Sequence, residues 1–486
     1  MNNLVLDKSV SIKLVLETLV RSGEGIVFLV EESRLIGSIS DGDIRKSLLQ
    51  GLDINSPAEL FVNRNCRFVT QESSPIDVHY AFSQEGVKHV PVVDMNHKLL
   101  HILRPGDKFV IPVCEPNLGQ TEKEFVNRAL NSGWISSVGS YVSEFEEVFR
   151  EFIGARHAVA VANGTLGLVL ALKLVGVEHG DEVIVPNVTF GATANAVIQV
   201  GGTPIFADIE KDSTSIDMDS IRKKITEKTK AIIPVHLYGK PVNMPEVMKL
   251  ASENNLKVIE DSAEAIGSKV NDIHVGNFGD VGVFSFFANK TITTGEGGMI
   301  VFNNPEFLEL ARKMRSHGFS SEKRYWHEVW GSNFRLTNLQ AALGCAQMSR
   351  VGELVAAKRK IYETYRSIIF PALEEILSFS DDVPNEVNSH WLVIIRFKIE
   401  VDLEEVMRDL QINGIETRRM FTPLSLQPAF ESKIPNDDLF INSLAQYEKS
   451  LCLPSSTNLT FSEIERVGSA LIKYFLKSKY FIKQSK

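Results

Sequence analysis

Residues 284–298 read FSFFANKTITTGEGG, and this stretch passes from an apolar strand into a loop rich in glycine and aromatic residues. The loop carries a single lysine, Lys290. A lysine amine forms a Schiff base where burial or a neighbouring cation lowers its pKa, whereas a lone loop lysine is usually a solvated surface charge. Lys290 is therefore a candidate for covalent chemistry, and the neighbouring segments decide whether it lies in a site.

Short apolar runs alternate with helical lengths on both sides of this stretch. They are predicted as strands at 158–161, 183–185, 203–207, 229–235, 257–260 and 281–287. Continuous apolar strands of this kind favour a mostly parallel sheet that is covered on both faces by helices. We therefore predict an α/β fold, whose loops carry the site, followed by a small C-terminal α+β subdomain that opens with a long helix over residues 351–370.

The chain of 486 residues is longer than one hydrophobic core usually organises, so several domains are expected. The stretch RPGDKFVIPVCEP at 104–116 contains three prolines, which interrupt regular structure. The predicted domains are an N-terminal module at 1–108, a linker at 109–116, a large domain at 117–350 and a C-terminal subdomain at 351–486.

The chain carries 52 lysines and arginines against 61 aspartates and glutamates, which gives a net charge of −9. Such a chain is not attracted as a whole to nucleic acid or to an anionic membrane, so neither is expected as a partner. Its apolar runs are far shorter than the ~20 residues that cross a bilayer, and its first residues do not read as a signal peptide, so a cytoplasmic location is expected. The four cysteines are scattered without a CxxC pair, which argues against disulfides and against a bound metal.

Two other segments place polar groups directly after predicted strands. Gly164 and Thr165 begin a predicted helix, and the free backbone N–H groups at its N-terminus form a potential phosphate-binding site. Asp261 stands at the carboxyl end of a strand, where open α/β sheets bind ligands. Glu264 faces the same pocket if a turn of helix begins at Ser262. Each signal is weak alone, because helix openings and acidic residues at strand ends are common.

Together these groups form a more specific pattern. A phosphate seat, a carboxylate able to pair with a pyridinium nitrogen and a Schiff-base lysine are the parts that pyridoxal phosphate requires. Phe190 follows a further strand and offers a ring to stack on the cofactor, although core packing would explain it equally well. The combined pattern predicts a pyridoxal-phosphate enzyme.

Residues from about 111 onward resemble the pyridoxal-phosphate sugar-nucleotide aminotransferases of the DegT type. Seven motifs carry the resemblance in order: SGWISS at 132–137, NGT at 163–165, Pro186 with Thr189 and Phe190, PVHLYG at 234–239, EDSAEA at 260–265, the run at 285–298, and NFRLTNLQAA at 333–342. The resemblance implies the aspartate-aminotransferase fold and a homodimer with shared active sites.

Carried over position by position, the resemblance also implies residue roles. Lys290 is implied as the Schiff-base lysine and proton shuttle, Asp261 as the partner of the pyridine nitrogen, and Glu264 as a neighbour of the ring's phenolic oxygen. Some members of this fold have histidine in place of the lysine and deoxygenate the sugar, so the retained Lys290 implies transamination. The residues implied to hold the phosphate are Gly164, Thr165, Ser285 and Asn333, the last reaching over from the partner subunit.

The resemblance leaves two further assignments open. Glutamate is the implied amino donor, and either Arg335 or Arg418 is implied to hold its carboxylate. Some members carry glutamine at the position of Glu264. A carboxylate there disfavours an ionised phenolate unless it is protonated, so the protonation state of Glu264 stays open.

Two kinds of nucleotide sugar compete as the substrate. His317, RYWH at 324–327 and NKTITT at 289–294 are similar to perosamine-synthase-type members, which act on a GDP-linked 4-keto-6-deoxymannose. His317 and Trp326 are then candidates for contacting the sugar nucleotide, as are Trp134 and Arg335. Residues 134–141 and 191–195 are instead similar to legionaminic-acid enzymes that use a UDP-linked 4-keto sugar. We favour the GDP-linked substrate, used for amino sugars of surface polysaccharides.

A catalytically inactive, nucleotide-sensing regulatory protein is the competing hypothesis from another functional class. Retention of Lys290, Asp261 and Ser285 argues against it. Detectable turnover with a panel of keto sugars would exclude it.

Residues 1–108 contain two passages with the same pattern of a helix followed by two strands, and they resemble a pair of CBS modules. The first passage, GSISDGDIR at 37–45, places Ser40 and Asp43 where that family contacts the phosphate and ribose of an adenine nucleotide. Simple helix capping explains the same two residues equally well. The second passage has His101 and Arg104 where a glycine and a hydroxyl are expected, so a second nucleotide site is doubtful.

Overall fold

The computed structural model describes residues 4–84, 86–320, 322–323, 325–380, 383–433 and 439–477, so Arg324 of the RYWH motif lies outside the described residues. The strands are β1 (Val5–Asp7), β2 (Ile26–Glu31), β3 (Arg34–Ser40), β4 (Val69–Thr70), β5 (Val90–Val93), β6 (Leu99–Leu103), β7 (His157–Val161), β8 (Glu182–Pro186), β9 (Thr203–Ala207), β10 (Thr229–Ile232), β11 (Lys257–Asp261), β12 (Lys269–Val270), β13 (Ile273–His274), β14 (Val281–Ser285), β15 (Gly298–Phe302), β16 (Leu377–Phe379), β17 (Glu386–Val387), β18 (Val393–Phe397), β19 (Arg418–Arg419) and β20 (Ser450–Leu453).

The helices alternate with these strands over most of the chain. They are α1 (Ile12–Ser22), α2 (Asp41–Leu49), α3 (Pro75–Phe82), α4 (Gln120–Asn131), α5 (Ser140–Ile153), α6 (Gly164–Leu174), α7 (Ala192–Gln199), α8 (Met218–Lys224), α9 (Met244–Glu253), α10 (Glu306–Arg315), α11 (Asn338–Met348), α12 (Val351–Leu373), α13 (Leu403–Ile412), α14 (Ile441–Lys449) and α15 (Phe461–Lys477). Short 3₁₀ helices occur at Ala58–Phe61, Leu237–Gly239, Leu424–Leu426 and Pro428–Lys433.

Contacts divide the chain into two compact units. The first contains residues up to Ile111 together with Glu404–Glu416 and the segment that begins at Thr460. The second contains Pro112–Leu403 and Thr417–Leu459, and it includes Lys290 and the other candidate residues of the pyridoxal-phosphate site.

A seven-stranded sheet in the order β7-β15-β14-β11-β10-β8-β9 forms the centre of the second unit. The strands β14, β11, β10, β8 and β9 pair in parallel, whereas β15 is antiparallel to both of its neighbours, β14 and β7. The sheet is therefore mostly parallel, and β7 runs in the same direction as β14. The carboxyl ends of all its strands except β15 meet at one edge.

Both faces of this sheet are buried. Successive strand residues point to opposite faces, and in β7 Val159 and Val161 lie in one core while Ala158 and Ala160 lie in another. Helices α6, α7 and α10 close the first core, α5, α11 and α12 close the second, and α8 and α9 cover a further cluster around Ile232. A four-stranded antiparallel sheet, β16-β18-β20-β19, accompanies the central sheet in this unit.

The first unit contains two small sheets with one arrangement. In β1-β2-β3 and in β4-β5-β6, the first pair of strands is parallel and the second is antiparallel. Helix α1 connects β1 to β2, and α3 connects β4 to β5. Phe28 of the first half packs with Val93 and Ile102 of the second in a shared core. The two passages of similar pattern in the sequence thus form two copies of one β-α-β-β unit.

The same unit contains α15, and one partly buried arginine joins distant parts of the sequence. The Arg466 guanidinium donates to carbonyl oxygens at distances of 2.6–3.3 Å. The carbonyl groups belong to Lys108, Phe109, Asn413 and Gly414. Burial lowers the pKa of Arg466 to about 10, so this guanidinium stays charged at neutral pH.

The described helices include none that is long and apolar enough to cross a membrane.

Candidate active site

The polar groups of the site lie where adjacent parallel strands end. Strand β11 ends at Asp261 and β14 ends at Ser285, and the two strands pair in a register that sets Asp261 opposite Val283. Glu264 follows β11 in a turn rather than in the helical turn considered from the sequence, because Ala265 N–H bonds back to the Ser262 carbonyl at 3.1 Å and no helix continues from it. The turn nevertheless brings Glu264 back to the sheet edge.

Lys290 and Glu264 form an ion pair. Lys290 Nζ lies 3.0 Å from Glu264 Oε1, and the two side chains are only 12% and 6% exposed. Glu264 Oε2 accepts a second hydrogen bond from the backbone N–H of Tyr238 at 3.0 Å. Burial raises the pKa of Glu264, and the charge of Lys290 together with this backbone N–H opposes the rise. The lysine is therefore a partly buried group paired to a carboxylate, unlike a solvated surface lysine.

Asp261 lies in the same pocket. Its Oδ2 accepts a hydrogen bond from Thr193 Oγ1 at 2.8 Å, and its Oδ1 accepts one from the backbone N–H of Ala263 at 3.2 Å. Burial raises the pKa of Asp261, while these two bonds and the charge of Lys290 act against the rise. A buried carboxylate held in this way is suited to pair with a cation at the pocket.

The N-terminus of α6 approaches Ser285 closely. Asn163 caps this helix, because its Oδ1 accepts the N–H of Leu166 at 2.9 Å. A Cβ atom placed on Gly164 would lie 3.1 Å from the Ser285 Cβ, and one on Gly298 would lie 2.6 Å from the Asn163 carbonyl carbon. Glycine at both positions lets the free N–H groups of the helix and the Ser285 hydroxyl lie side by side, which is the donor set that a phosphate requires.

These groups fit pyridoxal phosphate. The helix N-terminus with Ser285 suits its phosphate, the buried Asp261 carboxylate suits its ring nitrogen, and the amine of Lys290 suits its aldehyde. Thr165 lies in the first turn of α6, beside Gly164.

A buried histidine–glutamate pair supports the end of β11. His236 Nδ1 accepts the N–H of Val242 at 3.1 Å, so the other ring nitrogen, Nε2, carries the proton that bridges to Glu260 Oε2 at 3.1 Å. Glu260 also accepts three backbone N–H groups at 2.7 Å each, from Gly276, Phe278 and Gly279. Both side chains of the pair are fully buried. The network fixes the backbone immediately before Asp261.

Aromatic rings extend from Phe190 to Trp391 beside Lys290. Phe190 is 61% exposed and packs against Phe421 with ring centroids 5.8 Å apart. Tyr238 stacks on Phe421 at 5.2 Å and lies parallel to Trp391 at 6.1 Å. Because Phe190 presents an open ring rather than a buried one, core packing does not account for this residue, and stacking on the cofactor stays a prediction.

The residues assigned to the sugar nucleotide lie apart from this cluster. Within the described part of the chain, no hydrogen bond, ion pair or ring contact joins Trp134, His317, Trp326 or Asn333 to Lys290. Trp134 and Trp326 are 60% and 52% exposed, and Asn333 is exposed as well.

The two arginine candidates have different surroundings. Arg335 Nε donates to Asn333 Oδ1 at 2.9 Å, and its Nη1 donates to Ser316 Oγ at 3.4 Å. Arg418 lies opposite Cys452 in the pairing of β19 with β20, and Cys452 interacts with Tyr238 and with the charge of Glu264. Arg418 is thus connected to the Lys290 cluster through Cys452.

Ser40 and Asp43 form a capping box at the start of α2. Ser40 Oγ accepts the N–H of Asp43 at 3.2 Å and donates to Asp43 Oδ2 at 2.6 Å, while the backbone N–H of Ser40 donates to the same oxygen at 2.8 Å. In the second half of the module, His101 is buried with no hydrogen-bond partner for either ring nitrogen, and Arg104 pairs with Glu24 at 3.3 Å. Burial holds the pKa of His101 well below its ordinary value.

Several residues of the site were not identified from the sequence. Thr193 lies in α7 and Thr189 in the loop before that helix, and their hydroxyl oxygens are 3.0 Å apart. Trp391 and Lys358 come from segments far along the chain, and no local pattern connects them to Lys290. Cys114 Sγ, from the predicted linker, donates to the carbonyl oxygen of Asn289 at 3.0 Å.

Comparisons with known proteins agree with this geometry. The model of the DegT/DnrJ/EryC1/StrS aminotransferase family matches residues 116–472, so it does not cover the N-terminal module. A GDP-perosamine synthase of Vibrio cholerae is 40% identical over 372 residues, which cover 75% of this chain and 99% of that protein. Among solved structures, Helicobacter pylori PseC, an aminotransferase involved in the biosynthesis of pseudoaminic acid, is 30% identical with a TM-score of 0.72 over 76% of this chain and 100% of that chain. The PLP-form of Spr1654, a putative sugar aminotransferase from Streptococcus pneumoniae, is 26% identical with a TM-score of 0.72 over 76% of this chain and 100% of that chain.

Proposed function

Because the chain belongs to the DegT/DnrJ/EryC1/StrS aminotransferase family and uses pyridoxal phosphate, we propose that it transfers the amino group of glutamate to carbon 4 of a nucleotide-linked 4-keto-6-deoxy sugar, with GDP-4-keto-6-deoxymannose as the favoured substrate. The observation that supports the chemistry is the buried cluster of Lys290, Glu264 and Asp261 at the carboxyl edge of the sheet. The product would be an amino sugar for a surface polysaccharide.

When bound, pyridoxal phosphate would supply a carbonyl carbon that carries the amino group between donor and sugar and a ring that withdraws electrons. Lys290 Nζ would hold the cofactor and, when free, would move the proton of the substrate carbon. Asp261 would face the ring nitrogen, where its negative charge would favour the protonated, positively charged form of that nitrogen. Glu264 orients the amine of Lys290 through the 3.0 Å ion pair.

Three groups are proposed to hold the remaining parts of the ligands. The phosphate is bound by Gly164, Thr165, Ser285 and Asn333 of the partner subunit, and Phe190 covers the ring. The donor carboxylate is bound by Arg335, with Arg418 as the alternative. The sugar nucleotide is contacted by Trp134, Trp326 and the half-buried His317, and the exposed positions of the two tryptophans leave them available to a ligand or to a second copy of the chain.

The substrate is tested by mass spectrometry of the products formed from GDP-, UDP- and dTDP-linked 4-keto sugars with glutamate. We expect the GDP-linked amino sugar to form fastest, and the support is the 40% identity to a GDP-perosamine synthase over nearly its whole length. Preferred amination of the UDP-linked sugar would instead support the legionaminic-acid type. Amination of none of the three would contradict the proposal.

We also propose that residues 1–108 are a CBS pair whose Ser40 and Asp43 contact an adenine nucleotide. The support is the repeated β-α-β-β unit and the capping box, in which Asp43 accepts both hydrogen bonds through Oδ2 while Oδ1 takes no part. We expect titration calorimetry of the full chain to show heat with AMP or ATP, and Asp43→Asn to reduce it. Glu59→Gln is the matched control, because Glu59 pairs with Arg64 outside the motif. No heat with either nucleotide, or equal heat with both variants, would contradict the assignment.

A further inference from the structure

The amine of Lys290 lies directly over an aromatic face. Lys290 Nζ is 3.9 Å from the centroid of the Trp391 ring, while its ion-pair partner Glu264 Oε1 is 3.0 Å away. A cation attracted to the face of tryptophan gains most where water is excluded, and Trp391 is only 3% exposed. The amine is therefore held by a carboxylate and by a ring.

Trp391 also fixes the backbone that carries the lysine. Its Nε1–H donates to the carbonyl oxygen of Asn289, the residue before Lys290, at 2.8 Å. Cys114 Sγ donates to the same oxygen at 3.0 Å. The Trp391 side chain thus positions both ends of Lys290, because it contacts the peptide that precedes the lysine and the terminal amine.

The backbone of Trp391 is itself held by a second lysine. Lys358 Nζ, 1% exposed, donates to the Trp391 and Ser455 carbonyl oxygens at 2.9 and 2.5 Å and lies 3.6 Å from Cys114 Sγ. An ammonium group has three donors, and three acceptors surround this one. Tyr238 lies parallel to the ring at 6.1 Å and donates its own backbone N–H to Glu264, so the ring and the carboxylate are fixed to one another.

We propose that Trp391 is a positioning residue that, with Glu264, forms a holding site for the amine of Lys290 during the part of the cycle in which that amine is not bonded to the cofactor. The inference rests on the proposed role of Lys290. The holding site keeps the amine at the pocket and directed, so that it acts on the substrate proton and returns to the cofactor without first searching other rotamers. Lys358 and Cys114 act through Trp391 and Asn289 and touch no reacting atom.

The test measures the accessibility of the amine in the full chain after the cofactor is removed with hydroxylamine. Acetic anhydride is added at one fixed pH, and peptide mass spectrometry follows the acetylation of Lys290 relative to the exposed Lys360. We expect Trp391→Leu to accelerate acetylation of Lys290 by roughly 3- to 30-fold, the range of a lost cation–π contact. Trp391→Phe keeps a ring face and loses the Nε1–H, so it should label close to the wild-type rate.

Acetylation of Lys358 in the same samples reports opening of the fold. We expect it to stay slow in both variants. As a further control, Phe379→Leu removes another buried ring, one that packs on Tyr362, and should leave Lys290 labelling unchanged. Unchanged Lys290 labelling in Trp391→Leu, equal labelling of the Leu and Phe variants, or acceleration of Lys358 together with Lys290 would each overturn the proposal. These outcomes do not depend on turnover, so they are distinct from a failure of the proposed function, which would appear as absence of amination in the wild-type chain.

Discussion

Lys290→Ala is expected to abolish amino transfer and the covalent attachment of the cofactor. The amine is the only group in the buried cluster that is able to form an imine, and a positioned proton-transfer group contributes about 10²–10⁴-fold in rate by itself. The measurements are turnover of the preferred 4-keto sugar and the visible band of the purified protein, with and without borohydride. Borohydride should fix the cofactor to the wild-type chain and leave the variant unmodified, and peptide mass spectrometry should find the added mass at residue 290.

Lys360→Ala is the matched control, because this lysine of α12 is 78% exposed on the solvent side and should leave both readouts unchanged.

Mixing Lys290→Ala with Asn333→Ala also tests the homodimer. If Asn333 serves the site of the partner subunit, two impaired variants regain activity in mixed dimers, since one of the two sites then has both residues intact. A fully active Lys290→Ala, or borohydride fixation at another lysine, would reject the assigned chemistry.

Asp261→Asn is expected to impair catalysis and to stabilise the cofactor-free protein. The amide keeps the shape and the bond from Thr193 but loses the negative charge for the ring nitrogen, so the rate should fall by roughly 10- to 150-fold, the value of a hydrogen bond to a charged group. Turnover at saturating substrate checks this loss. Asp208→Asn is a suitable control, because Asp208 holds Ser443 at another part of the same unit and should affect stability rather than the cofactor.

The stability effect follows from the direction of the pKa shift. Burial raises the pKa of Asp261 above its ordinary value of 3.8, so the folded chain binds this proton more tightly than the unfolded chain does. The stability that the protonated carboxyl contributes is complete below the unfolded pKa and is lost as the pH rises through the raised one. Thermal unfolding of the cofactor-free chain should therefore favour Asp261→Asn at neutral pH and show no difference in acid. A lower melting temperature for the variant at neutral pH would contradict this account.

One general rule, that open α/β sheets bind ligands at the carboxyl ends of their parallel strands, was enough to predict that Asp261, Ser285 and Lys290 lie near one edge of the sheet. Asp261, Ser285 and Lys290 each follow or end a strand that is parallel to its neighbour, and such ends meet at one edge whatever the intervening helices do. Glu264 lies 3.0 Å from Lys290 although the helical turn expected at Ser262 is a plain turn, because a short connection at a strand end has little room to leave the edge, and its role at the cofactor stays a prediction.

The long-range contacts were not predictable in the same way. Trp391 contacts Lys290 although about a hundred residues separate them in the chain. Lys358, which lies in α12, bonds the backbone of Trp391. Tryptophan and lysine carry no signal that distinguishes these positions from core packing or from a solvated surface. Only the folded arrangement shows that a tryptophan ring and a second lysine support the candidate catalytic amine.

Arg466 has a consequence for any attempt to excise the enzyme part of this chain. A protein cut after Ile111 would match the residues covered by the family model, yet it would retain a charged guanidinium whose acceptors at Lys108 and Phe109 had been removed. The guanidinium would keep only its Asn413 and Gly414 acceptors, and a charged group that loses part of its hydrogen bonding destabilises the element that carries it. Residues 108 and 109 therefore help to stabilise α15 through Arg466. The shorter length of the relatives does not show where this chain tolerates truncation.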